Sequence, residues 1–251
     1  MNFSRLAPLQ NVALLMDMAE QITTRGPGIG LFFGEHGAGK TSATTLVANE
    51  YGATVVQAKE TWVLSDMLNE IGTELGIRDL RGTGFAKIKK IAEVLLLTDG
   101  MLVIDDAQYL RKGKMMGAAR DIFETCHSPL ILVGEPALEA SVTHYPNIYD
   151  RVLVSTETVP CSLADARALA TIYAERVDIP DDILGDLVEA TGGSARKLRI
   201  NFERIQAAAQ SRGTRIVDRA LLGRVKLHTV GLVSAQKSSG SRAFARQRGA
   251  A

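Results

Sequence analysis

Residues 34–41, Gly-Glu-His-Gly-Ala-Gly-Lys-Thr, indicate the fold class of this sequence more directly than any other segment. It fits the pattern G-x-x-x-x-G-K-[ST] of a phosphate-binding loop. The glycines let the backbone curl so that its N–H groups point at phosphate oxygens. Lys40 is expected to reach the β- and γ-phosphates of a nucleotide, and the Thr41 hydroxyl to hold Mg²⁺. The residues predicted to bind the nucleotide are Gly34, Glu35, His36, Gly37, Ala38, Gly39, Lys40 and Thr41.

The sequence on both sides of this loop supports the assignment. An apolar run of strand type, residues 29–33, precedes it, and residues 42–50 carry Ala43, Leu46 and Val47 at helical spacing. The phosphates would therefore meet the N-terminus of a helix. The alternative is a glycine-rich turn with a lone lysine, which explains neither the strand before it nor the helix after it.

A second motif, which is acidic, follows about 65 residues after Lys40. Residues 101–106, Met-Leu-Val-Ile-Asp-Asp, form an apolar strand that ends in two carboxylates. In nucleotide hydrolases, the first acid of such a strand holds Mg²⁺. Asp105 is therefore the second predicted metal residue. A strand that ends in a solvated acidic turn is the alternative.

Composition and charge limit the class of protein. No apolar run reaches the ~18 residues of a membrane span, and no basic-then-apolar secretion signal opens the chain. We therefore expect a protein of the bacterial cytoplasm with no membrane partner, and reduced, buried Cys126 and Cys161. Residues 1–195 hold 16 Lys+Arg and 26 Asp+Glu, whereas residues 196–251 hold 13 and 2. This division favours a polyanion partner for the C-terminal quarter, with a solvated helical face as the alternative.

The order of predicted elements indicates an α/β chain with a helical second part. A helix over residues 5–24 precedes the loop, and further strands are predicted at 53–58, 129–134 and 152–158, with helices at 65–75 and 85–97. Helices are then predicted at 162–177, 181–191 and 194–210, with a short one within 215–228. The expected division is an N-terminal helix (1–28), a nucleotide-binding domain (29–159), a helical lid (160–230) and a basic disordered tail (231–251).

Five strands that alternate with helices, followed by a small helical domain, resemble the AAA+ ATPases. The resemblance implies a five-stranded parallel sheet, ATP and Mg²⁺ as cofactors, and catalytic roles for three further residues. Asp106 would polarise the attacking water, although it is shorter than the family's usual glutamate. Arg196 in Gly192–Arg196 matches the second sensor of the lid, and Arg151 matches the arginine finger that reaches a neighbouring subunit. Each arginine could instead form a surface ion pair. Glu135 stands where the family usually places a polar residue that orients the attacking water or touches the γ-phosphate, and glutamate is unusual beside a polyphosphate.

Within AAA+, the sequence is similar to the DNA-transposition ATPases of phage Mu and Mu-like prophages, represented by transposition protein B. The similar features are the short helical entry, Tyr51-Gly-Ala before a strand, Ala58-Lys-x-Thr-Trp62, and Asp105-x-Ala-Gln108. This resemblance implies ATP-dependent, sequence-tolerant binding of double-stranded DNA. It also implies assembly into a ring or helical filament that recruits or stimulates a transposase. The alternative is a generic AAA+ ATPase of a secretion or helicase-loading machine.

Two basic segments of the predicted core are candidates for the DNA contact. In rings and filaments of this family, loops near the inner surface face the duplex. The cations of these segments are Arg81, Lys87, Lys89, Arg111, Lys112 and Lys114. The tail adds a looser set, Lys237, Arg242, Arg246 and Arg248. If the core segments do not bind DNA, the tail or the arginine-rich helix of the lid is the remaining surface.

Overall fold

The computed structural model describes residues 3–7, 9–26, 28–111 and 114–230. Within them, five parallel strands form one sheet in the order β2-β3-β4-β1-β5. The strands are β1 (Ile29–Phe33), β2 (Thr54–Gln57), β3 (Leu102–Asp105), β4 (Leu130–Gly134) and β5 (Val152–Glu157). The predicted α/β class and the five-stranded parallel sheet are confirmed. Because all strands run the same way, the loops after β1, β3 and β4 leave the sheet at one edge.

Helices cover both faces of the sheet and continue beyond it. The helices of the core are α1 (Gln10–Thr24), α2 (Lys40–Tyr51), α3 (Leu64–Glu74), α4 (Gly84–Leu97), α5 (Met115–Cys126), α6 (Ala137–Thr143) and α7 (Pro146–Tyr149). Those that follow β5 are α8 (Leu163–Tyr173), α9 (Asp181–Thr191), α10 (Ala195–Ser211) and α11 (Arg219–Leu222). None of the described helices is long and apolar enough to cross a membrane.

The inner strand β1 is buried on both faces, which explains its unbroken apolar sequence. Ile29 and Leu31 pack in a core with α3, α4 and α5, whereas Phe32 faces a second core with α1, α2 and helices α8 to α10. The C-terminal helices thus share a hydrophobic core with one face of the sheet. This packing places them beside the loop that follows β1.

A buried carboxylate joins the start of α1 to the start of α8. Ser162 Oγ accepts a hydrogen bond from Asp165 N at 3.2 Å, and Asp165 Oδ2 accepts one from Ser162 N at 2.7 Å, so the two residues form a capping box. Asp165 Oδ1 also accepts a hydrogen bond from Gln10 N at 2.8 Å. One side chain therefore satisfies backbone donors of two helices that are distant in sequence.

Several predicted element boundaries were wrong. The single helix expected over 5–24 is a 3₁₀ turn (Phe3–Leu6) followed by α1, because the chain is extended at Leu9 before α1 begins. Helix α8 ends at Tyr173 rather than at residue 177, and the helix expected within 215–228 is only α11. Helices α5, α6 and α7 were not predicted. The proposed domain boundaries remain predictions, and Lys112 and the tail, 231–251, lie outside the described residues.

Candidate nucleotide-binding site

The loop between β1 and α2 has a backbone that requires glycine at several positions. Gly37 and Gly39 have φ angles of 80° and 91°, in the left-handed region that side chains disfavour. At Gly34 the limit is space, because a Cβ there would lie 1.8 Å from Thr158 Oγ1. The loop therefore curls tightly and ends at Gly39, the residue before α2. Its backbone N–H groups lead into the N-terminus of a 12-residue helix.

Lys40 holds its ammonium group inside this loop. Lys40 is only 8% exposed, and its Nζ donates to Gly34 O at 2.5 Å and to Glu35 O at 2.9 Å. Burial lowers the pKa of Lys40, while the carboxylates of Asp105 and Glu135 act in the opposite direction. The loop is thus arranged around a buried cation.

Thr41 and Asp105 come together although 64 residues separate them. Thr41 Oγ1 donates to Asp105 Oδ2 at 2.9 Å, and Asp105 Oδ1 accepts a hydrogen bond from Asp106 N at 2.9 Å. Burial raises the pKa of Asp105, and the hydrogen bond from Thr41 opposes this shift. A hydroxyl and a carboxylate oxygen fit Mg²⁺, which prefers oxygen ligands and shares its site with phosphates. Mg²⁺ held there would neutralise charge on the phosphates of a nucleotide.

Asp106 turns its carboxylate toward two glutamines. Its φ of 53° is left-handed, a conformation that aspartate adopts more readily than most residues. Asp106 Oδ2 accepts a hydrogen bond from Gln57 Nε2 at 2.8 Å, and Oδ1 accepts one from Gln108 Nε2 at 3.3 Å. Neither glutamine had a role that the sequence predicted. Gln57 is the last residue of β2, the neighbour of β3, so its position on the sheet edge is the signal that locates it.

Glu135 belongs to the same polar network. Its backbone N–H donates to Gln108 Oε1 at 3.2 Å, and its Oε1 accepts a hydrogen bond from Gln108 Nε2 at 3.1 Å. His36 Nε2, from the glycine-rich loop, lies 2.9 Å from the same oxygen. The unusual carboxylate at the end of β4 is thus held by Gln108 and by the loop.

The helices that follow β5, which were predicted to form a lid, contact the loop directly. Arg196 N donates to Gly37 O at 3.0 Å, and a Cβ on Gly37 would lie 2.7 Å from Ser194 Oγ. The Arg196 side chain is exposed, lines the pocket and makes no hydrogen bond or ion pair with the described residues. One turn further along α10, the Arg199 guanidinium lies 5.0 Å from the centre of the Tyr173 ring. Arg196 is therefore free to meet an anion in the pocket.

A pocket of about 330 Å³ joins these groups. It is lined by the loop, the two aspartates and Glu135, and also by apolar side chains from the residues before α1 and from α8. Those apolar residues, none of which was identified from the sequence, are Leu6, Leu9, Leu169 and Tyr173. Polar and apolar lining groups match the two parts of a nucleotide, its phosphates and its base.

Asn11 forms hydrogen bonds that connect three segments of the chain. It is 6% exposed, and its Nδ2 donates to Ala38 O at 3.0 Å and to Val159 O at 2.8 Å. Its Oδ1 accepts a hydrogen bond from Val159 N at 2.8 Å. The side-chain amide of Asn11 therefore links α1 to the glycine-rich loop and to the connection between β5 and α8. The role of Asn11 could not be predicted from the sequence, because its hydrogen-bond partners are distant in the chain.

Arg151 lies away from the pocket. Its backbone O accepts a hydrogen bond from Ile29 N, so it sits at the start of β1 and β5, opposite the edge that carries the loop. Its guanidinium pairs with Glu124 and donates to Asn147 O. Arg151 cannot contact a nucleotide in the pocket of its own chain, and contact with a neighbouring subunit's nucleotide remains a prediction.

The cations predicted to contact DNA differ in their surroundings. Arg81 pairs with Asp79 at 2.9 Å, and Lys87 Nζ donates to Asn69 Oδ1 at 2.7 Å and to Ser65 Oγ at 3.1 Å. Lys89 lies 5.9 Å from the centre of the Phe85 ring. Arg111 and Lys114 are exposed, and their side chains have no partner among the described residues. The two segments therefore offer fewer free cations than the sequence suggested.

Comparison with known proteins agrees with this geometry. Residues 23–142 match the family model of the AAA domain. The Mu-like prophage FluMu DNA transposition protein B of Haemophilus influenzae is 27% identical over 175 residues, which cover 66% of this chain and 61% of that protein. This chain thus matches less than two thirds of that relative's length.

Solved structures show the same fold. The Orc1 protein of Aeropyrum pernix in complex with DNA matches with a TM-score of 0.60 at 18% identity, over 85% of this chain and 63% of that one. The RuvB Holliday junction branch migration motor of Thermotoga maritima matches with a TM-score of 0.59 at 16% identity, over 85% and 66%. Residues 23–142 therefore match an AAA domain, and the chain is similar to the Mu-like DNA transposition protein B.

Proposed function

We propose that this protein is an ATP-dependent, sequence-tolerant DNA-binding ATPase that assembles on target DNA and recruits or stimulates a transposase. The main support for ATP binding is the hydrogen bond of 2.9 Å from Thr41 Oγ1 to Asp105 Oδ2, beside the buried Lys40. A buried ammonium, a hydroxyl and a carboxylate in one pocket are the groups that bind a nucleoside triphosphate with Mg²⁺.

Turnover would depend on Asp106, the carboxylate next to the metal residue. It would orient the attacking water, while Gln57 and Gln108 hold its two oxygens. Because aspartate is one methylene shorter than glutamate and both oxygens are engaged, we infer slow intrinsic hydrolysis that DNA or a partner accelerates. Arg196 would contact the γ-phosphate from the lid, and Arg151 that of a neighbouring subunit.

Two observations support the DNA-related part. The similar protein from Haemophilus influenzae is named a DNA transposition protein. In addition, residues 196–251 carry 13 Lys+Arg against 2 Asp+Glu, a polyanion-binding composition. Because phosphate contacts position a protein without reading bases, binding should be sequence-tolerant and weaken with salt.

Filter binding of double-stranded DNA with ATP, with ADP and without nucleotide tests the proposal. We expect tight binding only with ATP, similar for unrelated DNA sequences, and loss of both ATP and DNA binding in Lys40→Ala. Equal DNA binding without nucleotide would contradict the ATP switch. ATP hydrolysis without DNA binding would instead indicate an ATPase of another machine.

A further inference from the structure

The charge of the helices that follow β5 is divided between two halves. Residues 160–195, which contain α8 and α9, hold 2 Lys+Arg and 7 Asp+Glu, whereas residues 196–230 hold 9 and 2. The net charge therefore changes from −5 to +7 within 71 residues. Such a division produces one acidic and one basic surface, provided that the cations of the second half lie close together.

Helix α10 and the chain that follows α11 bring these cations together. Lys197, Asn201, Arg204 and Arg212 lie within about a quarter of the circumference of α10, at ~100° per residue. Asn201 Nδ2 donates to His228 O at 3.1 Å, His228 N donates to Asn201 Oδ1 at 2.6 Å, and Arg204 Nη1 donates to Lys226 O at 2.7 Å. These bonds lay the segment of Lys226 and His228 across the middle of the helix.

We name this surface the lid stripe: Lys197, Arg204, Arg212, Arg224 and Lys226. None of its cations pairs with a carboxylate in the described part of the chain, and all except Lys197 are exposed. The basic neighbours Arg199 and Arg219 do pair, with Glu203 at 2.9 Å and with Asp182 and Asp186 at 3.3 and 2.9 Å. The stripe is therefore an uncompensated row of positive charge.

The chemistry of the stripe fits a polyanion better than an acidic protein surface. From Lys197 to Arg212 the helix rises ~22 Å, the axial span of about six successive phosphates on one DNA strand. Protein interfaces bury an apolar centre. Along α10, however, no large apolar side chain is exposed.

We propose that the lid stripe, rather than the two basic segments of the core, is the surface that contacts the DNA backbone. This inference rests on the proposed function. It also suggests how nucleotide binding could affect DNA binding, because α10 begins at Ala195 and the N–H of its next residue, Arg196, donates to Gly37 O. One helix would thus contact the nucleotide loop at its first turn and DNA along its length.

Two triple variants with the same change in charge test this assignment in the full chain. The stripe variant is Arg212→Gln, Arg224→Gln and Lys226→Gln. The matched core variant is Lys89→Gln, Arg111→Gln and Lys114→Gln. None of the six residues lines the nucleotide pocket or makes a side-chain hydrogen bond among the described residues. Fluorescence anisotropy with a 30-base-pair duplex and ATP is measured over a salt series, and ATP affinity is measured separately.

We expect the stripe variant to bind DNA at least about tenfold more weakly, with a log–log salt slope about three units smaller. The core variant should keep the wild-type slope, and both should bind ATP normally. An unchanged slope in the stripe variant would overturn the assignment, and loss of self-association alone in sedimentation would make the stripe a contact between copies. If wild-type protein does not bind DNA with ATP, the proposed function itself is wrong.

Discussion

Asn11 is the residue at which the nucleotide loop, α1 and the connection to the lid meet. Replacing it by alanine removes three hydrogen bonds and leaves Ala38 O, Val159 O and Val159 N without this partner. Buried polar groups left unpaired cost about 1–3 kcal/mol. We therefore expect Asn11→Ala to lower the free energy of unfolding by about this amount and to weaken ATP binding, because the loop loses its support.

Urea denaturation and ATP titration measure the two effects. Gln10→Ala is the matched control, since Gln10 is exposed on the same turn of α1 and only its backbone N–H forms a hydrogen bond that links it to the lid. The control should behave as wild type. If Asn11→Ala has wild-type ATP affinity, Asn11 contributes to the stability of the fold but not to ATP binding.

Cys161 gives a prediction about pH. It is 8% exposed at the entrance to α8, and burial raises the pKa of its thiol to about 12. A thiol whose pKa is higher in the folded than in the unfolded state stabilises the fold below the unfolded pKa of about 9. This stabilisation is lost as the pH rises from there toward 12. We expect little alkylation of Cys161 at pH 8 in the native protein and rapid alkylation in urea, measured by mass spectrometry of its peptide. Rapid labelling of the native protein would contradict the burial.

Residues that could be predicted from the sequence have hydrogen-bond partners nearby in the chain. Residues that could not be predicted have partners far away in the chain. Lys40 bonds to carbonyl groups only 5 and 6 residues away, so a local motif reveals it. Asn11 bonds to Val159, 148 residues away, and Gln57 to Asp106, 49 residues away. Only the folded chain brings such pairs together. Asp105 could be predicted because an apolar run followed by two aspartates is recognisable in the sequence itself.

At the scale of elements, the contact between the nucleotide loop and the start of α10 depends on Gly37. An alanine there would place Cβ 2.7 Å from Ser194 Oγ and 3.1 Å from Arg196 Cβ, at a φ of 80°. We expect Gly37→Ala to push the lid away from the loop and to weaken ATP binding strongly, while the sheet remains folded.

Gly52→Ala is the control for this effect, because Gly52 is also left-handed, at 59°, but a Cβ there meets nothing within 4 Å. Both variants lose about 1–2 kcal/mol from backbone strain. Only Gly37→Ala should lose ATP affinity, as measured by calorimetry alongside thermal unfolding. Similar ATP affinities in the two variants would show that the lid contact does not matter for binding.

The elements themselves were predictable to different degrees. Strands β1, β3 and β4 were found because each is a short, buried apolar run. Helix α5 was missed although Met115, Ala119, Ile122 and Cys126 follow a helical pattern and are buried. Helices α6 and α7 have only 7 and 4 residues, too few for a periodic signal, and they are held by burying Leu138, Val142 and Ile148 in the core shared with α3, α4 and α5.

At the scale of the whole molecule, the proposed function makes Asp106 the link between hydrolysis and assembly. Its carboxylate is held by Gln57 of β2 and by Gln108, so activation of water by Asp106 would require these bonds to rearrange. We expect slow ATP turnover in the free protein and faster turnover when DNA or a partner is bound. Asp106→Asn should stop turnover but keep ATP-dependent assembly on DNA, because the groups proposed to bind the phosphates and Mg²⁺ are unchanged.

Phosphate release and sedimentation with DNA, measured on the same samples, separate these two properties. Gln57→Leu provides a second, independent variant, because it frees Asp106 Oδ2 without altering Lys40, Thr41 or Asp105. If the hydrogen bond from Gln57 restrains Asp106, this variant should hydrolyse ATP faster than wild type in the absence of DNA. Fast wild-type hydrolysis that DNA does not change would contradict the regulatory interpretation. The protein would then be a constitutive ATPase, and its DNA assembly would not be controlled by the lifetime of bound ATP.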